Sequence, residues 1–335
     1  MYDIQLQVDW MRKFFASKPV GCWFFQKEMF MKKMLCVVFA MFSVFVINMW
    51  FAGTAHAQTK AQYEKAAAQG DAQAQVSLGL MYNLGRGVKQ DYTQARVWYE
   101  KAAAQGNADA QTLLGALYAA GLGVMQDYAK ARMWYEKGAA QGDALAQDNL
   151  GSMYYSGQGV KQDYTQARRW FEMAAVQGVT SAQNRLAAMY ADGNGVRQDY
   201  AKAREWFEKA AVQGNADAQT GLGFMYYRGQ GVKQDYTQAR MWFEKAAAQG
   251  NGFAQSSLGF LYYSGEGVRQ DYAKAREWFE KAAGQGNAFA QYNLGVLYHN
   301  GEGARQDRAK AKELYGRACD NGYQQGCDAY KRLNR

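Results

Sequence analysis

From Asn215 to Gly250 the chain runs NADAQTGLGFMYYRGQGVKQDYTQARMWFEKAAAQG. Copies of this unit begin at Asp71, Asn107, Asp143, Val179, Asn215, Asn251 and Asn287, each 36 residues long, with no insertion or deletion. A fixed period of that length marks a solenoid of helical hairpins. In the first half of the unit, Ala218, Leu222, Gly223 and Tyr226 fall on one face of a helix. Asn215 is placed to N-cap that helix, and Gly229-Gln230-Gly231 to end it. The second half opens at Asp235, another N-cap, with Gln238 three residues on as a capping-box partner. Ala239, Trp242, Phe243, Ala246 and Ala247 form its apolar stripe, and Gln249-Gly250 closes it. The helices are about three and a half and four turns long. Each is stable only when its stripe is covered by its partner and by the next repeat.

Small and large residues alternate for a packing reason. Gly79, Gly115, Gly151, Gly223, Gly259 and Gly295 share one place inside the first helix, with Ala187 in the fourth repeat. A mid-helix glycine costs about 1 kcal/mol relative to alanine, so its recurrence predicts close helix approach. Trp98, Trp134, Trp170, Trp206, Trp242 and Trp278 are expected to fill the core between hairpins.

The run A-Q-x-x-L-G-x-x-Y, G-x-G-V, D-Y-x-x-A-x-x-W-F-x-x-A-A-x-Q-G, carried from Asp71 to Gly322, resembles the Sel1-like repeat, a relative of the tetratricopeptide repeat. The last copy departs most, with Ala304, Arg308 and Leu314 at the valine, tyrosine and tryptophan positions. The resemblance implies an all-α fold, a right-handed α/α superhelix, acting as a protein-interaction scaffold. Cysteine-rich bacterial members of the family are associated with β-lactam binding or hydrolysis, which makes such an activity the alternative to a non-catalytic role.

Ahead of the array, residues 1–30 show no repeat signal and read as a misassigned or disordered extension. Lys32-Lys33, uncharged residues from Met34 to Ala52 and Ala55-His56-Ala57 describe a signal peptide over 31–57, cleaved after Ala57. The expected location is the periplasm or outside the cell. An uncleaved inner-membrane anchor through 34–52 is the other reading. No lipobox surrounds Cys36. Residues 58–70 match the second half of a repeat and would cap the array, which continues as 71–106, 107–142, 143–178, 179–214, 215–250, 251–286 and 287–322. A closing helix is expected over 323–335.

Whole-chain charge is +9; the part after Ala57 has 33 basic and 27 acidic residues, a net +6. Arg96, Arg132, Arg168, Arg204, Arg240 and Arg276 each precede a glutamate by four residues, which pairs them along the helix surface. Nucleic acid is therefore not expected as a partner, and a membrane only through an uncleaved leader. Cys22 and Cys36 lie in the tail. Cys319 and Cys327 fall on successive helices across a tight turn, within reach of a disulfide in an oxidising compartment; two buried thiols are the other reading. The pair also resembles the bridges of cysteine-rich Sel1-like proteins.

No S-x-x-K, G-x-S-x-G or H-E-x-x-H occurs, so no catalytic, metal or cofactor-binding residue is assigned. What breaks the repeat symmetry is one face of the first helix. One position runs Asn83, Ala119, Tyr155, Ala191, Tyr227, Tyr263, His299; three residues earlier the series is Leu80, Ala116, Ser152, Ala188, Phe224, Phe260, Val296. Phe253, Phe289, Arg228 and Tyr292 lie nearby in the unit. First helices line the concave side of tetratricopeptide-like arrays. Tyr155, Phe224, Tyr227, Arg228, Phe260, Tyr263, Tyr292 and His299 are accordingly the candidate contacts for a protein or peptide partner. A cell-wall glycan or peptide could use the same strip, and the aromatics could instead simply pack against the adjacent repeat.

Overall fold

A computed structural model describes residues 60–334. The readings made for 1–30, for the signal peptide or anchor and for residues 58 and 59 lie outside the described residues. Sixteen α-helices and no strand occur among the described residues. They fall into two compact units, 60–189 with 193–198 and 190–192 with 199–334.

The N-terminal unit starts with a lone helix, α1 (Lys60–Ala68). Three hairpins follow: α2 (Ala72–Leu84) with α3 (Tyr92–Ala104), α4 (Ala108–Ala120) with α5 (Tyr128–Ala140), and α6 (Ala144–Ser156) with α7 (Tyr164–Val176). Most of α8 (Thr180–Asp192) completes the unit. The C-terminal unit opens with α9 (Tyr200–Val212). Its hairpins are α10 (Ala216–Arg228) with α11 (Tyr236–Ala248), α12 (Gly252–Ser264) with α13 (Tyr272–Gly284), and α14 (Ala288–Asn300) with α15 (Arg308–Asp320). The closing helix α16 (Gln324–Leu333) ends it. Within each unit consecutive helices pack on one another, and α8 is tied to α7 by Gln183 Nε2 donating to Ala175 O. The protein is an all-α solenoid of hairpins.

The helix ends follow from local chemistry. Asn215 Oδ1 accepts from the Ala218 amide at 2.7 Å and starts α10. Gly229, at φ 70°, takes the left-handed conformation that ends it. Asp235 Oδ1 accepts from the Thr237 and Gln238 amides and starts α11. The reciprocal arm of the expected capping box is absent. The Asp235 amide donates instead to Tyr226 O in the preceding helix at 2.9 Å, so it has no need of the Gln238 side chain.

The core aromatic differs from the expected one. The six repeat tryptophans are all half-buried. The neighbouring residue is the buried one: Tyr99, Tyr135, Phe171, Phe207, Phe243 and Phe279; in the last repeat Leu314 and Tyr315 are both buried. The cause is the fixed glycine. A Cβ at Gly151 would lie 2.6 Å from the Phe171 ring, and one at Gly295 would lie 2.8 Å from Tyr315. The glycine thus opens a slot for the residue one position past the tryptophan, about 100° further round the helix. Burying such a ring stabilises by roughly 1.5–3 kcal/mol. Each tryptophan rests on the flank, and in five repeats a lysine three residues later covers its ring. Lys101 lies 4.1 Å from Trp98 and Lys209 lies 4.0 Å from Trp206. In the third repeat Met173 takes the lysine's place.

Candidate functional site

Most recurring residues have a structural task, which separates them from the residues free to differ. The buried Gln219 donates through Nε2 to Ala211 O of the preceding repeat and accepts from Gln249 Nε2 at 2.8 Å. The same amide pair recurs at Gln75–Gln105, Gln111–Gln141, Gln147–Gln177 and Gln255–Gln285. In the last repeat Asn321 replaces the outer glutamine. Gln234 bridges Tyr227 O and the Tyr236 hydroxyl. The loop glycine of each later repeat seats on a tyrosine of the preceding one: a Cβ at Gly159 would meet Tyr128 Cβ at 2.6 Å, and one at Gly267 would meet Tyr236 Cβ at 2.6 Å. Arg308 stands where this tyrosine would be in the last repeat. All six Arg–Glu pairs form along the second helices, at 2.5 to 3.8 Å. Such pairs are worth a few tenths of a kcal/mol each.

The variable strip lies on the first helices, and much of it is covered. Tyr155 is 8% exposed, its ring 4.9 Å from Tyr164 and 6.4 Å from Phe171. Phe224 is buried edge-on to Phe243 at 5.1 Å. Arg228 lies over Phe224 at 5.4 Å. Burial lowers the Arg228 guanidinium to about 10, opposed by Tyr200, Asp192 and Tyr227. Tyr227 is buried against Tyr236 and Phe260, and its hydroxyl donates to Glu266 Oε2 at 2.9 Å. Phe260 is buried too, and Tyr263, 2% exposed, meets Tyr272 edge-on at 5.5 Å. Burial pushes the Tyr263 hydroxyl well above its usual range, and Glu302 adds to the effect. Tyr292 and His299 remain half-buried. Tyr292 lies between Tyr315 (5.5 Å) and Tyr323 (5.2 Å), joining α14 to the closing helix.

The C-terminal unit thus brings Phe224, Tyr227, Arg228, Phe260, Tyr263, Tyr292 and His299 onto one series of first helices, while Tyr155 belongs to the N-terminal unit. Sequence reasoning passed over the carboxylates of this strip. Glu266 and Glu302 occupy the loop position held by Arg86, Leu122, Gln158, Asn194 and Gln230 in earlier repeats, and that departure was the available signal. It also passed over a charged group in the N-terminal unit. Arg185 Nη1 donates to both oxygens of the buried Asp148 at 2.8 and 2.9 Å, and Ser181 Oγ donates to Asp148 Oδ2 at 2.7 Å. This group joins repeats three and four through residues that no other copy carries at those positions.

Cys319 and Cys327 form a disulfide across the turn from α15 to α16, with Cα atoms 4.5 Å apart. Among the described residues no helix is long and apolar enough to cross a membrane, and no group of three or more His, Cys, Asp or Glu side chains is placed to hold a metal ion.

Hairpins of fixed length, joined by glycine-capped loops and a repeated amide ladder, define a tetratricopeptide-like repeat protein. The Sel1 repeat matches residues 63–71, 72–107, 108–143, 144–179, 180–215, 216–251, 252–287 and 288–323. The chain belongs to the Sel1 repeat family, whose members are generally protein-interaction scaffolds and typically non-catalytic. It is similar to a protective antigen of uropathogenic Escherichia coli that displays an SLR fold, at 40% identity and a TM-score of 0.73. That match covers 83% of this chain, which spans 59% of the antigen's length. A Sel1 repeat protein from Oxalobacter formigenes is 37% identical with a TM-score of 0.66, over 82% of this chain and 79% of that one. No curated protein matches the chain.

Proposed function

We propose that the protein is an exported, non-catalytic scaffold that binds a peptide or protein partner along the first-helix face of its C-terminal repeats. The observation that carries this reading is the division of labour within the repeat. Caps, amide ladder, core ring and loop seat recur almost unchanged, whereas chemistry changes on the first helices. Selection for stability alone gives no reason for that side to diverge. The buried rings of Phe224, Tyr227, Phe260 and Tyr263 form the floor, and half-buried Phe253, Tyr292, His299, Glu266 and Glu302 supply the reachable groups. Rigid aromatics beside carboxylates suit an extended segment carrying apolar and basic side chains. The disulfide supports an oxidising compartment.

Selection from a displayed random-peptide library tests the reading. Peptides sharing a motif should emerge, and the double variant Phe253→Ser, His299→Ala should weaken them at least tenfold while keeping the unfolding midpoint. A failure to enrich any motif, or equal binding to the variant, defeats it. Turnover of a chromogenic β-lactam by the purified protein would replace it with an enzyme.

A further inference from the structure

We propose that the loop edge of the N-terminal unit docks on an anionic lipid bilayer, with Met125 as the inserting tip. This goes beyond partner binding on the first-helix face, since it concerns a different edge and a different class of partner.

Successive loops of the unit form one continuous edge, because each later loop seats on the tyrosine that follows the loop before it: Gly123 on Tyr92, Gly159 on Tyr128 and Gly195 on Tyr164. At the same place in these loops stand Lys89, Met125, Lys161 and Arg197. Six of the seven repeats carry a cation there, and the second carries methionine. Met125 is 87% exposed, more than any other large hydrophobic residue described. Its loop reads Gly121-Leu122-Gly123-Val124-Met125, with Leu122 and Val124 packed on the core, so the tip stands on an apolar base. The flanking loops present Arg86, Lys89 and Lys161, all exposed. None of these three cations, nor Arg197, makes an ion pair among the described residues.

The acidic groups of this edge are engaged elsewhere. Asp91 Oδ1 accepts from the Thr93 and Gln94 amides, Asp163 Oδ1 from Thr165 and Gln166, and Asp127 Oδ1 from Lys130, at the positive ends of α3, α7 and α5. The cations are therefore left facing solvent around one apolar tip. A soluble acidic protein would complement the charges but gives no reason for an exposed methionine among them. A bilayer with anionic headgroups accounts for both, since cations attract its surface and an apolar side chain enters the acyl boundary.

The test uses the full chain with Cys22→Ser, Cys36→Ser and Met125→Cys, carrying an environment-sensitive fluorophore at position 125. A matched chain carries the probe at position 133 on α5, where Met133 is also exposed. Vesicles of phosphatidylcholine are compared with vesicles containing phosphatidylglycerol. The apolar stretch 34–52 can associate with any bilayer, so headgroup dependence and probe position decide the result. A blue shift at position 125 on phosphatidylglycerol vesicles only, absent at 133, is expected. Lys89→Gln with Lys161→Gln should weaken that partition roughly thirtyfold without moving the unfolding midpoint. No shift at 125, equal shifts at 125 and 133, or equal shifts on both vesicle types would overturn the proposal. Binding to soluble polyglutamate with no lipid-dependent shift would assign the edge to an acidic macromolecule instead.

Discussion

Tyr99 fills the core slot of the first repeat with a hydroxyl that has no hydrogen-bond partner, and burial pushes its ionisation far above the usual tyrosine range. Phenylalanine takes the same place in repeats three to six. Leaving a buried donor unsatisfied costs about 1–3 kcal/mol. Tyr99→Phe should therefore stabilise the protein by about 1 kcal/mol, read as a higher urea midpoint at unchanged slope. Asp109 offers a pH-dependent counterpart. Burial first, and Asp143 second, raise its carboxyl above the ordinary value. A carboxyl raised on folding costs stability wherever it is ionised, so the cost is full at neutral pH. It fades as pH falls through the raised folded value and is gone below the unfolded value of about 3.9. Asp109→Asn should raise the neutral-pH unfolding midpoint, with the advantage vanishing in acid. An equal gain at pH 7 and pH 3 would mean that packing, not charge, is responsible.

Helix α8 is the one first helix without a side-chain cap. Val179 has the extended backbone of a cap, φ −65° and ψ 109°, yet offers its amides no acceptor. The other six first helices start at Asp or Asn with a capping bond. Val179→Asn should add about 1 kcal/mol, the usual worth of an N-cap, measured by thermal or urea unfolding. The closing element shows how a helix is held without one. Tyr323 gives α16 no side-chain cap. The helix is fixed instead by the disulfide and by Tyr323, whose ring meets Phe289 edge-on at 6.1 Å and Tyr292 at a tilt at 5.2 Å.

At the scale of the whole chain, stability in a repeat array is a sum of local terms, because each hairpin meets only its neighbours. Removing the cross-link with Cys319→Ser and Cys327→Ser should cost about 2–3 kcal/mol by chain-entropy reasoning. The loss should stay local. Hydrogen exchange should quicken in α16 and α15 and remain unchanged in α2 to α5. Uniform acceleration along the chain would show instead that the array unfolds as one cooperative body.

Much of this was legible from sequence because each repeat must solve the same local problem. Period, caps, terminating glycines, Arg–Glu pairs and the reach of Cys319 to Cys327 depend on offsets of a few residues. Such offsets fix geometry whatever the distant surroundings. The tertiary structure decided which aromatic enters the core. Trp98 and Tyr99 both fall on plausible faces, and only the slot opened by Gly79 on the partner helix selects the tyrosine. It decided the capping too, since the Asp235 amide was already taken by Tyr226 O. It also decided how much of the variable strip is reachable. Burial of Tyr227 draws on Phe260 and Glu266 of the following hairpin as well as on Tyr236 of its own, and no single repeat contains that information.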